Sequence, residues 1–198
     1  MILAIDTSSA ACTAALFDGD TCIGTRDEVI GRGHSERLVP MIAELLDGRR
    51  AEQILVGVGP GSFTGIRVGI AAAHGLAIGW GAEVLGFYSL ALLAASAPLP
   101  VAVAVKGGHG ELFVQQYPSL SDPGELLNLT PSESGRAVSL ERVIGSGAAL
   151  LIEARGRGES IDALLSARHA LSLPEVLRTL PPRPLYARAP DAKLPTAA

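Results

Sequence analysis

The sequence predicts an α/β protein of two lobes with mixed sheets. Three observations carry this. Strand and helix patterns alternate through the first half; a strand, glycine turn, strand pattern opens each half; and 48% of the 198 residues are hydrophobic. Such an alternation needs a sheet covered on at least one face, and a chain of this length can bury a self-sufficient core. Charged residues make up only 18%, which excludes disorder driven by charge and low hydrophobicity.

Residues 2–5, 12–17 and 21–30 read as strands, punctuated by Thr7-Ser8-Ser9 and Asp18-Gly19-Asp20, which makes an antiparallel meander. Residues 35–47 follow as a helix, with Leu38, Met41, Ile42, Leu45 and Leu46 at helical spacing and Gly48 ending the run. Val39 and Ala43 widen its apolar arc, so more than one side is expected to be covered. Pro40 either interrupts the helix or opens it at the first helical position. Ser35 reads as its N-cap and Glu36 as a first-turn acid.

Residues 54–58 are a short buried strand, 64–80 a helix, 83–87 a strand and 89–95 a short helix. The proline-containing stretch 96–100 divides the chain into lobes 1–97 and 98–198. Beyond it the pattern restarts with strands at 101–106 and 111–117 around Gly107-Gly108, an echo expected of two lobes of one duplicated fold. Later signals are weaker: a strand at 142–144, a helix from Ala148 and another at 161–167. Five prolines in residues 180–198 suggest a loose tail.

The net charge is −4, and the 16 basic residues are spread thinly. No basic patch able to hold nucleic acid by itself is visible, so in any RNA chemistry something else must hold the RNA. In the opening hairpin Cys12 pairs near Arg26 or Asp27, about 15 Å along the ladder from Cys22 and beyond disulfide reach. Two free thiols point to a reducing, cytoplasmic compartment. The N-terminal run Met1-Ile2-Leu3-Ala4-Ile5-Asp6 lacks the basic flank and apolar length of a signal peptide, so the chain is expected to start inside the fold. The longest apolar stretch, 68–80, falls well short of the ~20 residues of a membrane span.

The segment Gly59-Pro60-Gly61-Ser62-Phe63-Thr64-Gly65 lies between a buried strand and a helix. Its glycines let backbone N–H groups converge, and the helix adds its N-terminal dipole, the physical recipe for an anion site. It lacks the Lys-Ser/Thr pair of a Walker loop and the dinucleotide glycine spacing. A tight turn that lets strand and helix pack closely explains it equally. Gly65, Gly69, Ala73, Ala77 and Gly81 fall four apart and make a smooth row against which another element must lie, either the chain's own sheet or a partner helix. Asp6-Thr7-Ser8 ends the first strand like the first phosphate turn of the actin-like ATPase and sugar-kinase superfamily, or is a turn satisfying its own backbone. The candidate anion or nucleotide residues are therefore Asp6, Thr7, Ser8, Gly59, Gly61, Ser62 and Thr64. No HExxH, paired CxxC or nucleophile elbow is present, the four histidines are far apart in sequence, and no catalytic or metal-ligating set emerges.

The segments MILAIDTSS, GHSERLVPMI, VGPGSFTGIRVGIAAAHGLA and Phe87-Tyr88-Ser89-Leu90-Ala91 together resemble the TsaB (YeaZ) family over residues 1–95. Only Gly145-Ser146-Gly147-Ala148 and Pro184-Leu185-Tyr186-Ala187-Arg188 match its pattern in the second half. The resemblance implies a two-lobed actin-like ATPase (ASKHA, ribonuclease H-like) fold. It also implies a non-catalytic role beside a TsaD-type catalytic subunit that places the threonylcarbamoyl group on adenosine 37 of tRNA. A TsaE-type ATPase is implied as third partner, a homodimer when the chain is alone, and tRNA contact only through the complex. The implied partner surface lies on two N-terminal-lobe helices, through His34, Arg37, Leu38, Met41, Ile42 and Leu45 on the first and Gly65, Gly69, Ile70, Ala73, His74 and Ala77 on the second. In TsaD-type relatives an H-x-x-x-H pair binds the metal just after the strand matching residues 83–87. Here the positions aligned by eye are Phe87 and Ala91, which cannot ligate. Where family members carry an acidic Asp-Ala-Arg segment after the first strand of the second lobe, this chain has Lys106-Gly107-Gly108-His109. No cofactor of its own is expected, with ATP or ADP at a partner interface left open.

Overall fold

Strands β1 (Ile2–Asp6), β2 (Ala11–Asp18) and β3 (Thr21–Val29) form the expected antiparallel meander in a computed structural model that describes residues 1–187. Next come helix α1 (His34–Leu46), β4 (Gln53–Gly57), α2 (Phe63–Trp80), β5 (Glu83–Phe87) and the short α3 (Ala91–Ala95). The first sheet runs in the order β3-β2-β1-β4-β5, with β4 and β5 parallel to β1.

The second half repeats this plan with β6 (Val101–Lys106), β7 (Leu112–Tyr117), β8 (Leu127–Leu129), α4 (Pro131–Ala137), β9 (Arg142–Ile144), α5 (Ala148–Arg155) and β10 (Glu159–Ile161). Its sheet order, β10-β9-β6-β7-β8, is the first sheet's order with each strand replaced by its counterpart. Two sheets of identical connectivity are what a duplicated actin-like, ribonuclease H-like fold shows.

Alternation along the strands sorts the cores. On β1, Leu3 and Ile5 face α1 and α2, whereas Ala4 faces the space between the sheets. On β6, Val101, Val103 and Val105 face that same space, and Ala102 and Ala104 face α5. The central layer holds α3 and a 3-10 turn, Ala167–Ser172, packed with Phe17, Phe87 and Tyr117. Both faces of β2 are thus covered, and seven of its eight residues are buried. A polar link crosses the layer: Thr13 donates to Asp27, Ser166 donates to Asp27 at 2.9 Å, and the Ala167 amide donates to Thr13 Oγ1 at 2.8 Å.

Several sequence expectations need correction. Helix α1 continues through Pro40, which sits exposed on the outer face where the lost hydrogen bond costs least. Its N-cap is Gly33, at φ 92°, so Ser35 lies inside the first turn. A bulge between Leu16 and Phe17 moves Cys12 opposite Glu28 rather than Arg26 or Asp27; both cysteines are free, Cys12 buried and Cys22 exposed. Residues 161–167 do not form the expected helix: Ile161 completes β10 beside β9, Leu165 enters the central core, and Ala167 opens the 3-10 turn instead. The Thr130 capping box starts α4, a T-x-x-E signal overlooked in the sequence.

The expected loose tail is held as far as it is described. After α6 (Glu175–Arg178), Leu180 bridges Gly86, and the Leu185 amide donates to the Val58 carbonyl at 2.8 Å. This return strap covers the outer edge of β5 and the start of the glycine loop. The remainder of the expected tail, with Arg188, lies outside the described residues. No helix of the described residues is long and apolar enough to cross a membrane.

Candidate functional site

The loop between β4 and α2 and the turn between β1 and β2 meet at the top of the first sheet. Asp6 ends β1 with its side chain fully buried. Its Oδ1 accepts from the Ser8 amide and the Ser8 hydroxyl, both at 2.7 Å, and its Oδ2 accepts from the Ser89 hydroxyl at 2.6 Å. Ser89 Oγ in turn accepts from the Gly59 amide at 3.1 Å. Burial pushes the Asp6 carboxyl above its usual range, opposed by the hydrogen bonds from Ser89 and Ser8. Gly57 makes room for this carboxylate, since a Cβ there would stand 1.8 Å from Oδ2.

The loop presses on the turn just as closely. A Cβ on Gly61 would lie 2.1 Å from the Ser8 carbonyl oxygen, and one on Gly65 would lie 1.9 Å from that of Thr7. The Ser62 amide donates to the Ser8 carbonyl at 2.6 Å, and Thr7 Oγ1 donates to the Gly65 carbonyl at 2.6 Å. Ser62 caps α2 by accepting from the Gly65 amide at 3.2 Å. The fold therefore brings together Asp6, Thr7, Ser8, Gly59 and Gly61, with Ser62 and Thr64 exposed at the rim. The Gly59, Ser62 and Gly65 amides of the loop meet acceptors of the chain itself, and the close approaches at Gly61 and Gly65 account for those glycines by packing. Ser89, which ties the strap-side loop to Asp6, escaped sequence reading; only its place in Phe87-Tyr88-Ser89 hinted at it.

The helix residues divide just as clearly. Leu38, Met41, Ile42 and Leu45 of α1 are buried in the chain's own core, as are Gly65, Gly69, Ile70 and Ala73 of α2. The small-residue row faces β1 and β4: a Cβ on Gly69 would meet Thr7 Oγ1 at 2.7 Å and Val56 at 3.5 Å. These eight residues cannot offer side chains to a partner in this conformation. Ala77 is half-buried and Gly81 is the left-handed C-cap. His34 is buried with Nε2 3.3 Å from the Ala11 carbonyl. Arg37 grips Glu28 of β3 through Nε at 2.7 Å and Nη2 at 2.6 Å, and Glu44 through Nη1 at 2.8 Å. Of the expected interface only His74 is exposed.

Besides the polar Ser35, Glu36 and Glu44 of α1 and Thr64, Arg67 and His74 of α2, the two neighbouring helices present small or apolar residues to solvent. On α1 these residues are Val39 (50% exposed), Pro40 and Ala43; on α2 they are Ala71, Gly75, Gly79 and Ile78, which is 87% exposed. Phe87 and Ala91, the positions aligned with a metal-binding pair, are both fully buried in the central layer. Among the described residues no group of three or more His, Cys, Asp or Glu is placed to hold a metal ion.

Comparison with known proteins agrees with this architecture. The family model described as "TsaD: tRNA N6-adenosine threonylcarbamoyltransferase" matches residues 22–128. The TsaB protein of Escherichia coli is 36% identical over 126 residues, covering 59% of this chain and 54% of that protein. The Haemophilus influenzae TsaB protein is 40% identical over 103 residues, covering 48% of this chain and 42% of that protein. The chain thus spans about half the length of the curated relatives it matches. YeaZ from Pseudomonas aeruginosa superposes with a TM-score of 0.75 at 30% identity, covering 93% of this chain and 98% of that one. With the duplicated sheets, the glycine loop packed on the Asp6 turn and this full-length likeness together, the chain belongs to the TsaB (YeaZ) family.

Proposed function

We propose that this chain is the scaffolding and activating subunit of a tRNA adenosine-37 threonylcarbamoyltransferase complex, and that it docks a TsaD-type catalytic subunit through the outer faces of α1 and α2. The observation that carries the reading is the paired face of Val39, Pro40, Ala43, Ala71, Gly75, Ile78 and Gly79. Small residues there leave the helix backbones open to close approach by helices of another chain, and Ile78 supplies an apolar anchor. Kinship with TsaB proteins, named for threonylcarbamoyladenosine biosynthesis, supplies the chemistry of the complex.

A non-catalytic role is supported by the residues themselves. Phe87 and Ala91 cannot ligate a metal, and both Asp6 oxygens are held by serine and amide donors of the same chain. The same helix face would pair two copies when the catalytic subunit is absent, and tRNA and a TsaE-type ATPase would join through the assembled complex. Cytoplasmic placement follows from the same reading.

Gel filtration of the chain mixed with the TsaD-type protein tests this. A stable heterodimer is expected, and Ile78→Glu is expected to abolish it while leaving the monomer folded. Met41→Glu and Gly69→Leu are unsuitable probes, since both sites are buried within the chain. Failure of the wild-type proteins to co-elute would overturn the reading.

A further inference from the structure

The return strap creates a surface that no stretch of sequence displays by itself. It brings Tyr186 against the start of α2, where its ring stacks on Phe63 with centroids 4.9 Å apart. Arg67, one turn along α2, lies over the Phe63 ring at 3.7 Å and donates through Nε to the Tyr186 hydroxyl at 2.8 Å. The cluster is not buried: Phe63 is 42% and Tyr186 39% exposed.

Charge reinforces the aromatic ridge. Between Glu52 and Glu83 there is no acidic residue, and none between Glu175 and the end of the described strap at Ala187. Those two stretches contribute Arg67, Arg178 and Arg183, and among the described residues none of the three pairs with a carboxylate. Arg183 stands three residues before Tyr186, within about 10 Å of chain. In a chain of net charge −4, Arg67 and Arg183 thus lie beside two exposed aromatic residues on one ridge.

The geometry points to a contact for a single-stranded or looped segment of RNA on Phe63, Arg67, Arg183 and Tyr186. The exposed parts of the stacked Phe63–Tyr186 pair extend a stacking platform to unstacked bases of any sequence, and guanidinium groups beside it accept the phosphates. An apolar protein helix would leave the charges of Arg67 and Arg183 without a carboxylate or phosphate, whereas a polyanion matches them. The inference rests on the proposed role in tRNA modification and assigns direct RNA contact to this subunit, in place of RNA held wholly by its partner. The contact is weak and subsidiary, since one ridge of two arginines sits on an acidic protein.

Fluorescence anisotropy with labelled unfractionated tRNA at low salt tests it on the full chain. Wild type is expected to bind with a salt-dependent affinity. Arg67→Gln and Arg183→Gln are each expected to weaken binding and lower the salt slope by about one. The double variant Phe63→Leu, Tyr186→Leu is expected to lose about tenfold in affinity, with circular dichroism confirming its fold. Arg136→Gln, the same charge change on α4 of the other lobe, is the control and leaves affinity unchanged. Undetectable wild-type binding, or arginine variants indistinguishable from Arg136→Gln, overturns the inference. So does a ridge variant that keeps its RNA affinity but loses co-elution with the TsaD-type protein, which would make the ridge a protein contact. Wild-type chain that binds RNA through the ridge yet never co-elutes with that protein would instead sink the proposed function and leave this contact standing.

Discussion

Gly65 and Gly75 sit on one helix, and the same substitution is expected to have opposite effects at the two. In an exposed helical position, replacing glycine by alanine stabilises by about 1 kcal/mol through backbone entropy. At Gly75 a Cβ would meet nothing within 4 Å, so Gly75→Ala should deliver that gain. At Gly65 the Cβ would fall 1.9 Å from the Thr7 carbonyl oxygen, so either β1's end or the helix must move. Overpacking of this kind costs roughly 1–3 kcal/mol. The displacement also endangers the bond from Thr7 Oγ1 to the Gly65 carbonyl, a further ~1 kcal/mol. Even against the helix-propensity gain, Gly65→Ala should lose about 2 kcal/mol. For a protein of this size that is a drop of roughly 4–8 °C in Tm, against a rise of about 2–4 °C for Gly75→Ala. Differential scanning calorimetry and urea midpoints measure both. A Gly65→Ala protein as stable as wild type would refute the argument that close packing, rather than ligand binding, accounts for the glycine loop.

Other outcomes follow from named contacts. Asp6 has a raised folded-state pKa, so its contribution to stability is fully present below the unfolded carboxylate range and is lost as pH rises through the folded value. The stability difference between wild type and Asp6→Asn should therefore fall from acid toward neutral pH in urea titrations; a flat difference would sink the assignment. Thr13→Val removes the acceptor for the buried Ala167 amide, costing about 1–3 kcal/mol and speeding hydrogen exchange at that amide, as read by NMR. Ser62→Ala removes the cap of α2 and should cost about 1 kcal/mol by urea denaturation, with no effect if the Gly65 amide is satisfied by water instead.

Much of the first lobe was legible because its periodicities are strong. The meander, β4, α2 and β5 fall within one or two residues of their predicted limits, since each is bounded by glycine or an Asp-containing turn. The direction of each helix face was not legible. Leu38, Met41 and Ile42 define an apolar stripe, but a stripe does not say whether it meets the chain's own sheet or another chain. The glycine row was ambiguous for the same reason, and the lack of room for a Cβ at Gly65 and Gly69, which would meet Thr7 at 1.9 Å and 2.7 Å, decides that it faces inward. The strap escaped because its contacts are long-range: nothing near Leu185 or Tyr186 announces pairing with Val58 or Phe63. Prolines there read as looseness, yet they fix an extended path that suits an edge-covering segment. The second lobe's short strands, β8 to β10, carry too few residues for a periodic signal.

The duplication also explains why the glycine loop looked like a phosphate loop. In each lobe the segment after the fourth strand must turn over the end of the first strand and enter a helix. In the first lobe Gly61 lets that segment approach the Ser8 carbonyl, where a Cβ would lie 2.1 Å away. In the second lobe Gly145, at φ 120°, approaches the Ala104 carbonyl, where a Cβ would lie 2.4 Å away, and the Gly147 amide donates to that carbonyl at 2.9 Å. Both loops are rich in glycine for the same geometric reason, although their sequences share little else. A motif demanded twice by chain geometry is weak evidence for a ligand at either place. With that demand met, the side chains left to distinguish this chain are those facing outward, on the paired helices and on the ridge where the strap returns.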